Sequence, residues 1–102
     1  MHKVKIIRRI YDGSSLEDSK FHACTTKDIS LPIPPFVGMI ILMSYGEEIN
    51  KIMVHADTQE VSCFLSDYYA SMYSNDWDFQ EKIDDDVEDG MTLLFNKPLP
   101  IS

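Results

Sequence analysis

Basic residues are scarce in this sequence: nine lysines and arginines stand against 17 aspartates and glutamates, which gives a net charge of −8 at pH 7. A chain this acidic repels a phosphate backbone, so the composition argues against nucleic acid as a partner. Lys3, Lys5, Arg8 and Arg9 form a small basic stripe near the N-terminus. We expect these bases either to protect a sheet edge or to dock against acidic residues of this chain or of a neighbouring copy.

Long apolar runs are also missing. The longest, residues 36–43, has the length of a strand and is far below the roughly 18–20 residues that a membrane span needs. The basic residues at the N-terminus are interleaved with apolar ones and are not followed by the continuous apolar core of a signal peptide. These absences predict a cytoplasmic protein with no membrane partner.

The chain has only two cysteines, Cys24 and Cys63, and no Cys-x-x-Cys motif. Both lie in apolar or β-type stretches, which predicts buried, reduced thiols. A zinc site would have to combine them with His22 and His55. The hairpin register described below places His55 and Cys63 on opposite faces of a sheet, so we expect no structural zinc.

What is present is a series of strand-like segments. Residues 3–11 alternate, with Val4, Ile6 and Ile10 on one face and Lys3, Lys5 and Arg9 on the other. Further strands are predicted at 21–26, at 36–44 and at 91–95, and the apolar run 36–44 predicts a central strand covered on both faces. Residues 49–64 predict a hairpin in which Val54 faces Val61 and Ile52 faces Cys63, because a slip by one residue would lose these apolar pairs.

Acidic residues are concentrated near the C-terminus. Between Asp76 and Asp89 eight acids stand against Lys82 alone, a net charge of −7 out of the total of −8. Phe79, Ile83 and Val87 are spaced as an apolar stripe, and Gly90 is a suitable stop, so we predict a helix over residues 76–89. The acids at its C-terminal end oppose the helix dipole, so stability alone does not account for them.

Length and pattern together predict one α+β domain over residues 1–102. The expected architecture is an antiparallel sheet of five or six strands with one principal acidic helix near the C-terminus, because the hairpin connections are too short for parallel crossovers. The apolar stripe of that helix is expected to pack on a sheet face built from Ile40, Leu42, Ile52, Val54 and Val61.

No catalytic or cofactor motif stands out. A calcium-binding loop that begins at Asp84 would need glycine at its sixth position and glutamate at its twelfth, where this chain has Asp89 and Phe95. Asp12, Asp18 and Lys20 superficially resemble the carboxylate and lysine grouping of metal-dependent nucleases, but they lie in a polar loop. We therefore expect no enzymatic activity, no cofactor and no bound metal, with a small metal-dependent hydrolase or nuclease as the alternative.

The function that the sequence favours is a small protein-interaction module of the binding, inhibitor, immunity or regulatory type. The expected partner is a basic protein, since charge steers association while buried aromatic side chains supply affinity. The oligomeric state stays open, a homodimer included. The predicted partner-binding residues are Trp77, Asp78, Glu81, Asp85, Asp86 and Asp89.

Overall fold

The structure, a computed structural model, describes residues 1–43, 46–70 and 79–99. Its elements in chain order are β1 (His2–Tyr11), β2 (Phe21–Leu31), β3 (Ile40–Leu42), β4 (Gly46–Val54), β5 (Val61–Leu65), β6 (Tyr68–Tyr69), α1 (Phe79–Glu88) and β7 (Thr92–Pro98). The seven strands form one sheet in the order β3-β4-β5-β1-β2-β7, and β6 pairs with the far end of β1. The expected α+β class with one short helix near the C-terminus is thus confirmed.

β1 is the central strand, and the alternation of its sequence explains its two faces. Val4, Ile6 and Ile10 are buried on one face, as predicted. A long antiparallel ladder joins β1 to β2, from His2 opposite Leu31 to Tyr11 opposite His22. β2 therefore extends well past the predicted end at residue 26.

The sheet is mixed and has seven strands, so the predicted antiparallel sheet of five or six strands is matched only in part. β1 runs parallel to β5, with Ile6 opposite Cys63, and also parallel to β6. The parallel pairing results from the connection formed by residues 32–39. This connection leads from β2, near one edge of the sheet, to β3 at the other edge. A connection of that length lets the next hairpin return beside β1, which a chain of tight hairpins would not allow.

The hairpin between β4 and β5 has the predicted register. Val54 lies opposite Val61 and Ile52 opposite Cys63, with a bulge between Ile49 and Lys51. At the tip, the amide of His55 donates to the carbonyl of Glu60 at 2.9 Å. The alternating apolar pairs fix this register because a slip would turn Cys63, which is fully buried, toward solvent.

Residues 36–43 do not form the predicted central strand. The chain makes a turn in which the amide of Met39 donates to the carbonyl of Phe36, with Gly38 at φ 97°. Only Ile40–Leu42 is a strand, and it lies at the edge of the sheet. A continuous apolar run does not distinguish a buried central strand from an exposed edge. Ser44, the end of the predicted strand, lies outside the described residues.

The helix α1 begins at Phe79 in the described part of the chain and ends in a Schellman motif. The amide of Met91 donates to the carbonyl of Asp86, and that of Gly90 donates to the carbonyl of Val87, both at 3.0 Å. Gly90 has φ 91°, which a residue with a side chain rarely adopts. Residues 76–78, the predicted start of the helix, lie outside the described residues.

The helix packs at a different place from the one predicted. It contacts β1, β2 and β7, and Ile83 is buried against Ile10 and Ala23 with Phe79 beside them. Val87 is 48% exposed, so the expected third member of the apolar stripe is not in the core. The residues that were expected beneath the helix belong to the other half of the sheet, and Ile40, Leu42 and Val54 are exposed there.

A second, larger core lies on the half of the sheet away from the helix. It includes Val4, Ile6, Ile49, Cys63 and Leu65. Both cysteines are free and buried, as predicted. The described part of the chain contains no helix with the length and apolar character needed to cross a membrane.

Candidate functional site

The candidate site begins with a buried cation in β1. Arg8 has the same parity as Val4, Ile6 and Ile10, so its side chain enters the core face of the sheet, where the residue is 3% exposed. A guanidinium in that position requires anionic partners, because an unpaired buried charge is strongly destabilising. Two carboxylates meet it: Glu47 at 2.7 Å from Nη2 and Asp86 at 3.2 Å from Nε.

Asp86 is the anion at the centre of this arrangement. It is 1% exposed and faces inward from α1. Its Oδ2 accepts a hydrogen bond of 2.9 Å from Thr25 Oγ1 and lies beside Arg8, while its Oδ1 lies 3.4 Å from Lys82 Nζ. The Arg8 Nε contact is an ion pair without hydrogen-bond geometry, since that N–H makes no hydrogen bond within the described residues.

Lys82 carries the second buried cation of this group. Its Nζ lies 3.9 Å from Asp85 Oδ2 and 5.2 Å from the ring centroid of Tyr68. Burial raises the pKa of the Asp85 carboxyl, Lys82 opposes that shift, and the neighbouring carboxylates of Asp89 and Asp86 add to it. A raised pKa means that the folded protein holds Asp85 ionised at some cost.

We call Arg8, Thr25, Glu47, Lys82, Asp85 and Asp86 the ion cluster. It joins four elements, since its members come from β1, β2, β4 and α1. Arg8 belongs to the basic stripe near the N-terminus, for which docking against acidic residues of the same chain was one of the expected roles. The contact of Arg8 with Asp86 confirms this for Arg8, whereas Lys5 and Arg9 pair on the other face of the sheet with Glu60 and Asp67.

The outward face of the helix has a different composition. Glu81, Asp84, Asp85 and Glu88 follow the i, i+3, i+4, i+7 spacing that places side chains along one face of a helix. Glu81, Asp84 and Glu88 are exposed, Asp85 is half-buried, and the last turn of α1 contains no base. We call these four residues the acidic stripe.

The predicted partner-binding residues are therefore divided by the structure. Glu81 is exposed, Asp85 and Asp89 are half-buried, and Asp86 lies in the core, away from any accessible face. Trp77 and Asp78 lie outside the described residues. Sequence reasoning did not single out Asp84 and Glu88 for the site, although their spacing from Glu81 was a sufficient signal.

Asp85, Asp86 and Asp89 form the one group of three or more potential metal ligands in residues 1–43, 46–70 and 79–99, with one oxygen from each within 4.8 Å of the others. The two oxygens of Asp86 are already engaged by Thr25 and by the two buried cations. A divalent ion there would compete with Arg8 and Lys82 for the same carboxylate. The ion cluster is therefore a set of ion pairs that holds α1 on the sheet.

The residues of the alternative enzyme hypothesis have structural contacts in the loop between β1 and β2. Asp12 Oδ1 accepts hydrogen bonds from the amides of Lys20 and Phe21 at 2.8 and 3.0 Å. Asp18 Oδ2 accepts from the Ser14 hydroxyl at 3.0 Å. These contacts close the loop, because the Asp12 carboxylate accepts from amides eight and nine residues further along the chain.

The comparisons with known proteins identify no relative. No protein-family model, no curated protein and no solved structure matches this chain at a significant level.

Proposed function

We propose that this protein is a non-enzymatic interaction module that binds a basic protein partner through the acidic stripe of α1. The observation that carries the proposal is the separation of the two sides of this helix. Asp86 and Lys82 point inward into the ion cluster, and Glu81, Asp84 and Glu88 point outward into solvent.

The acidic stripe destabilises the helix that carries it. Like charges at i, i+4 repel by a few tenths of a kcal/mol each, and acids near the C-terminal end of a helix oppose its dipole. Asp84 and Glu88 do both, because they are four residues apart in the C-terminal half of α1. A partner that supplies lysine or arginine side chains would relieve both effects on binding.

The inner side of the helix favours binding by holding the stripe in place. Ile83 is 2% exposed against the sheet, and Asp86 is tied to Arg8 in β1 and to Thr25 in β2. A rigid surface loses little conformational freedom when it binds, so more of the electrostatic attraction is retained as affinity. Trp77, just before the helix in sequence, stays our predicted aromatic anchor.

Such a surface suits an inhibitor, an immunity-type protein, a mimic of a nucleic acid backbone or a regulatory subunit. In each case the charges of the stripe would set the rate of association and its dependence on salt. We therefore propose which surface binds and that its partner is basic.

The test uses two variants with the same change in charge. Asp84→Lys/Glu88→Lys reverses two charges of the stripe, and Glu17→Lys/Asp57→Lys reverses one glutamate and one aspartate in exposed loops, so each takes the net charge from −8 to −4. Lysine suits the C-terminal end of a helix, so α1 should be retained. Each purified protein is immobilised and exposed to lysate, and captured proteins are identified by mass spectrometry.

We expect the wild type and the loop variant to capture the same basic protein, the stripe variant to lose it, and added salt to weaken capture. The proposal is wrong if no partner is captured, if both variants behave alike, or if capture is indifferent to salt.

A further inference from the structure

One short segment contains several of the large apolar side chains that the fold leaves exposed. Five large apolar side chains within residues 33–42 each leave more than half of their surface exposed: Ile33, Phe36, Val37, Ile40 and Leu42. We call them the β3 patch. Leu42 is the extreme case at 82% exposure. Exposed apolar side chains that cluster on a surface are a mark of interaction sites.

Local geometry explains why Ile40 and Leu42 stay exposed. β3 pairs with β4 so that Ile40 lies opposite Glu48 and Leu42 opposite Gly46. A Cβ added to Gly46 would lie 3.0 Å from Ile40 Cγ2 and 3.7 Å from a Leu42 methyl, so both side chains already extend over this glycine. Because Gly46 has no side chain, nothing from β4 at that position covers them.

The two edges of the sheet differ in how they are protected. Edge strands normally carry a charge or a proline that prevents pairing with another chain. The edge strand β7 has Lys97 and Pro98. The edge strand β3 reads Ile40-Ile41-Leu42, without either, and no described strand pairs with its outer side.

We propose that the outer edge of β3 pairs with the same strand of a second copy, in antiparallel orientation, so that the β3 patches of the two copies cover each other. A second copy is favoured because this edge is uncharged and self-complementary. Ile41 already faces the core, so pairing would use the free backbone groups of the strand and the exposed side chains of Ile40 and Leu42.

The distribution of charge supports this occupant. Two molecules of net charge −8 repel each other, and the cost is lowest where the acidic stripes are far apart. The helix lies over β1, β2 and β7, whereas β3 is separated from β1 by β4 and β5. At about 4.8 Å per strand, pairing at β3 keeps the two helices farther apart than the Debye length of about 8 Å.

The short length of β3 predicts a weak dimer. A standard interface buries about 800 Å² on each partner and involves about 20–30 residues a side, whereas β3 offers an edge of three residues. We expect a dissociation constant on the order of micromolar. The resulting dimer would carry its two acidic stripes at its outer ends.

Sedimentation velocity over about 1 to 200 µM protein tests the proposal, since dimerisation depends on concentration. Leu42→Lys places a charge at the centre of the patch, and Leu94→Lys makes the same change at a position that is 58% exposed on the protected edge strand β7. Both positions are at the surface, so stability should change by less than about 0.5 kcal/mol, which thermal unfolding checks.

The wild type and Leu94→Lys should shift from monomer toward dimer with concentration, and Leu42→Lys should stay monomeric. Val37→Lys, at a position that is 62% exposed, gives a second independent disruption should Leu42→Lys fold poorly. Added salt should leave the dimer intact or strengthen it, because the contact is apolar. A monomeric wild type, equal behaviour of Leu42→Lys and Leu94→Lys, or a dimer that dissolves in salt would each overturn the proposal. None of these results depends on the acidic stripe having a partner.

Discussion

Arg8 Nε lies 3.2 Å from Asp86 Oδ2, and these residues, in β1 and α1, are 3% and 1% exposed. Burying two charges costs several kcal/mol per ion, and a well-packed apolar pair is often as stable. The ion pair does, however, restrict how α1 can sit on the sheet, because only one rotation of the helix brings Asp86 to Arg8. We infer that the pair fixes which carboxylates of this acidic segment face inward and which face outward.

The first prediction concerns the loss of the buried anion. Asp86→Asn should lower the free energy of unfolding by about 3–5 kcal/mol, because it leaves the buried cations Arg8 and Lys82 without their common partner. Asp84→Asn removes the same charge from an exposed position of the same helix and should change stability by less than about 0.5 kcal/mol. Urea unfolding of both variants measures the difference. Equal effects would show that the ion cluster does not hold the helix.

The second prediction concerns Asp85, whose pKa is raised chiefly by burial. The unfolded carboxyl releases its proton at a lower pH than the folded one, so between the two pKa values the native state binds more protons. Stability is therefore lost as pH rises from 3.8, the ordinary pKa of an aspartate, through the folded pKa of Asp85, and the penalty is complete at neutral pH. Asp85→Asn should remove this penalty and stabilise the protein at pH 7 by less than about 1 kcal/mol.

Urea unfolding of wild type and Asp85→Asn across the acid range tests whether the substitution stabilises the protein as predicted. The two curves should converge as pH falls below the pKa of the unfolded carboxyl. The opposite order at neutral pH, with the variant less stable, would mean that the contact with Lys82 at 3.9 Å outweighs burial.

The third prediction compares the contributions to stability of two residues that the sequence places on the same apolar stripe. Ile83 and Val87 lie four residues apart on the predicted apolar stripe, but Ile83 is 2% exposed and Val87 is 48% exposed. Ile83→Ala should cost about 2–5 kcal/mol through loss of burial and the cavity that remains. Val87→Ala should change stability by less than about 0.5 kcal/mol, since alanine is also the better helix former. Similar losses for both variants would contradict the position of the helix seen here.

Local patterns predicted the parts of the fold that neighbouring residues determine. The alternation of β1, the register of the hairpin that pairs Val54 with Val61, and the stop at Gly90 all depend on residues close in sequence. These features are governed by side-chain periodicity and turn chemistry, which a single sequence displays. They were therefore accessible without the structure.

The order of the strands in the sheet could not be predicted from such local patterns. The parallel pairing of β1 with β5 depends on where residues 32–39 lead the chain, and the apolar run 36–43 reads equally well as a core strand or an edge. The alternation of β1 predicts that the Arg8 side chain lies in the core, provided that a buried charge is allowed there. Asp86 then has to face inward, because a buried charge needs a partner. The sequence predicted a helix that carries these acidic residues, but which of them face inward depends on this long-range pair.

The last prediction concerns His22, on the strand face opposite the helix. Its ring lies between Tyr11 and Phe95, with ring centroids 6.2 and 5.0 Å away. Its Nε2 is buried without a hydrogen-bond partner in the described part of the chain. Burial and, to a smaller extent, the charge of Lys97 lower the pKa of His22 from its usual value of 6.5.

The neutral ring is therefore favoured in the folded state, and the protein should lose stability as pH falls from 6.5 through the lower pKa of folded His22. His22→Gln should reduce this loss, whereas His55→Gln, a change in the exposed hairpin tip, should preserve it. Urea midpoints at pH about 7 and about 5.5, with an NMR titration of the His22 ring, measure both the loss and its origin. A His22 resonance that titrates above 6.5, or equal acid sensitivity in the two variants, would show that the packing of this ring against Tyr11 and Phe95 does not disfavour its charge.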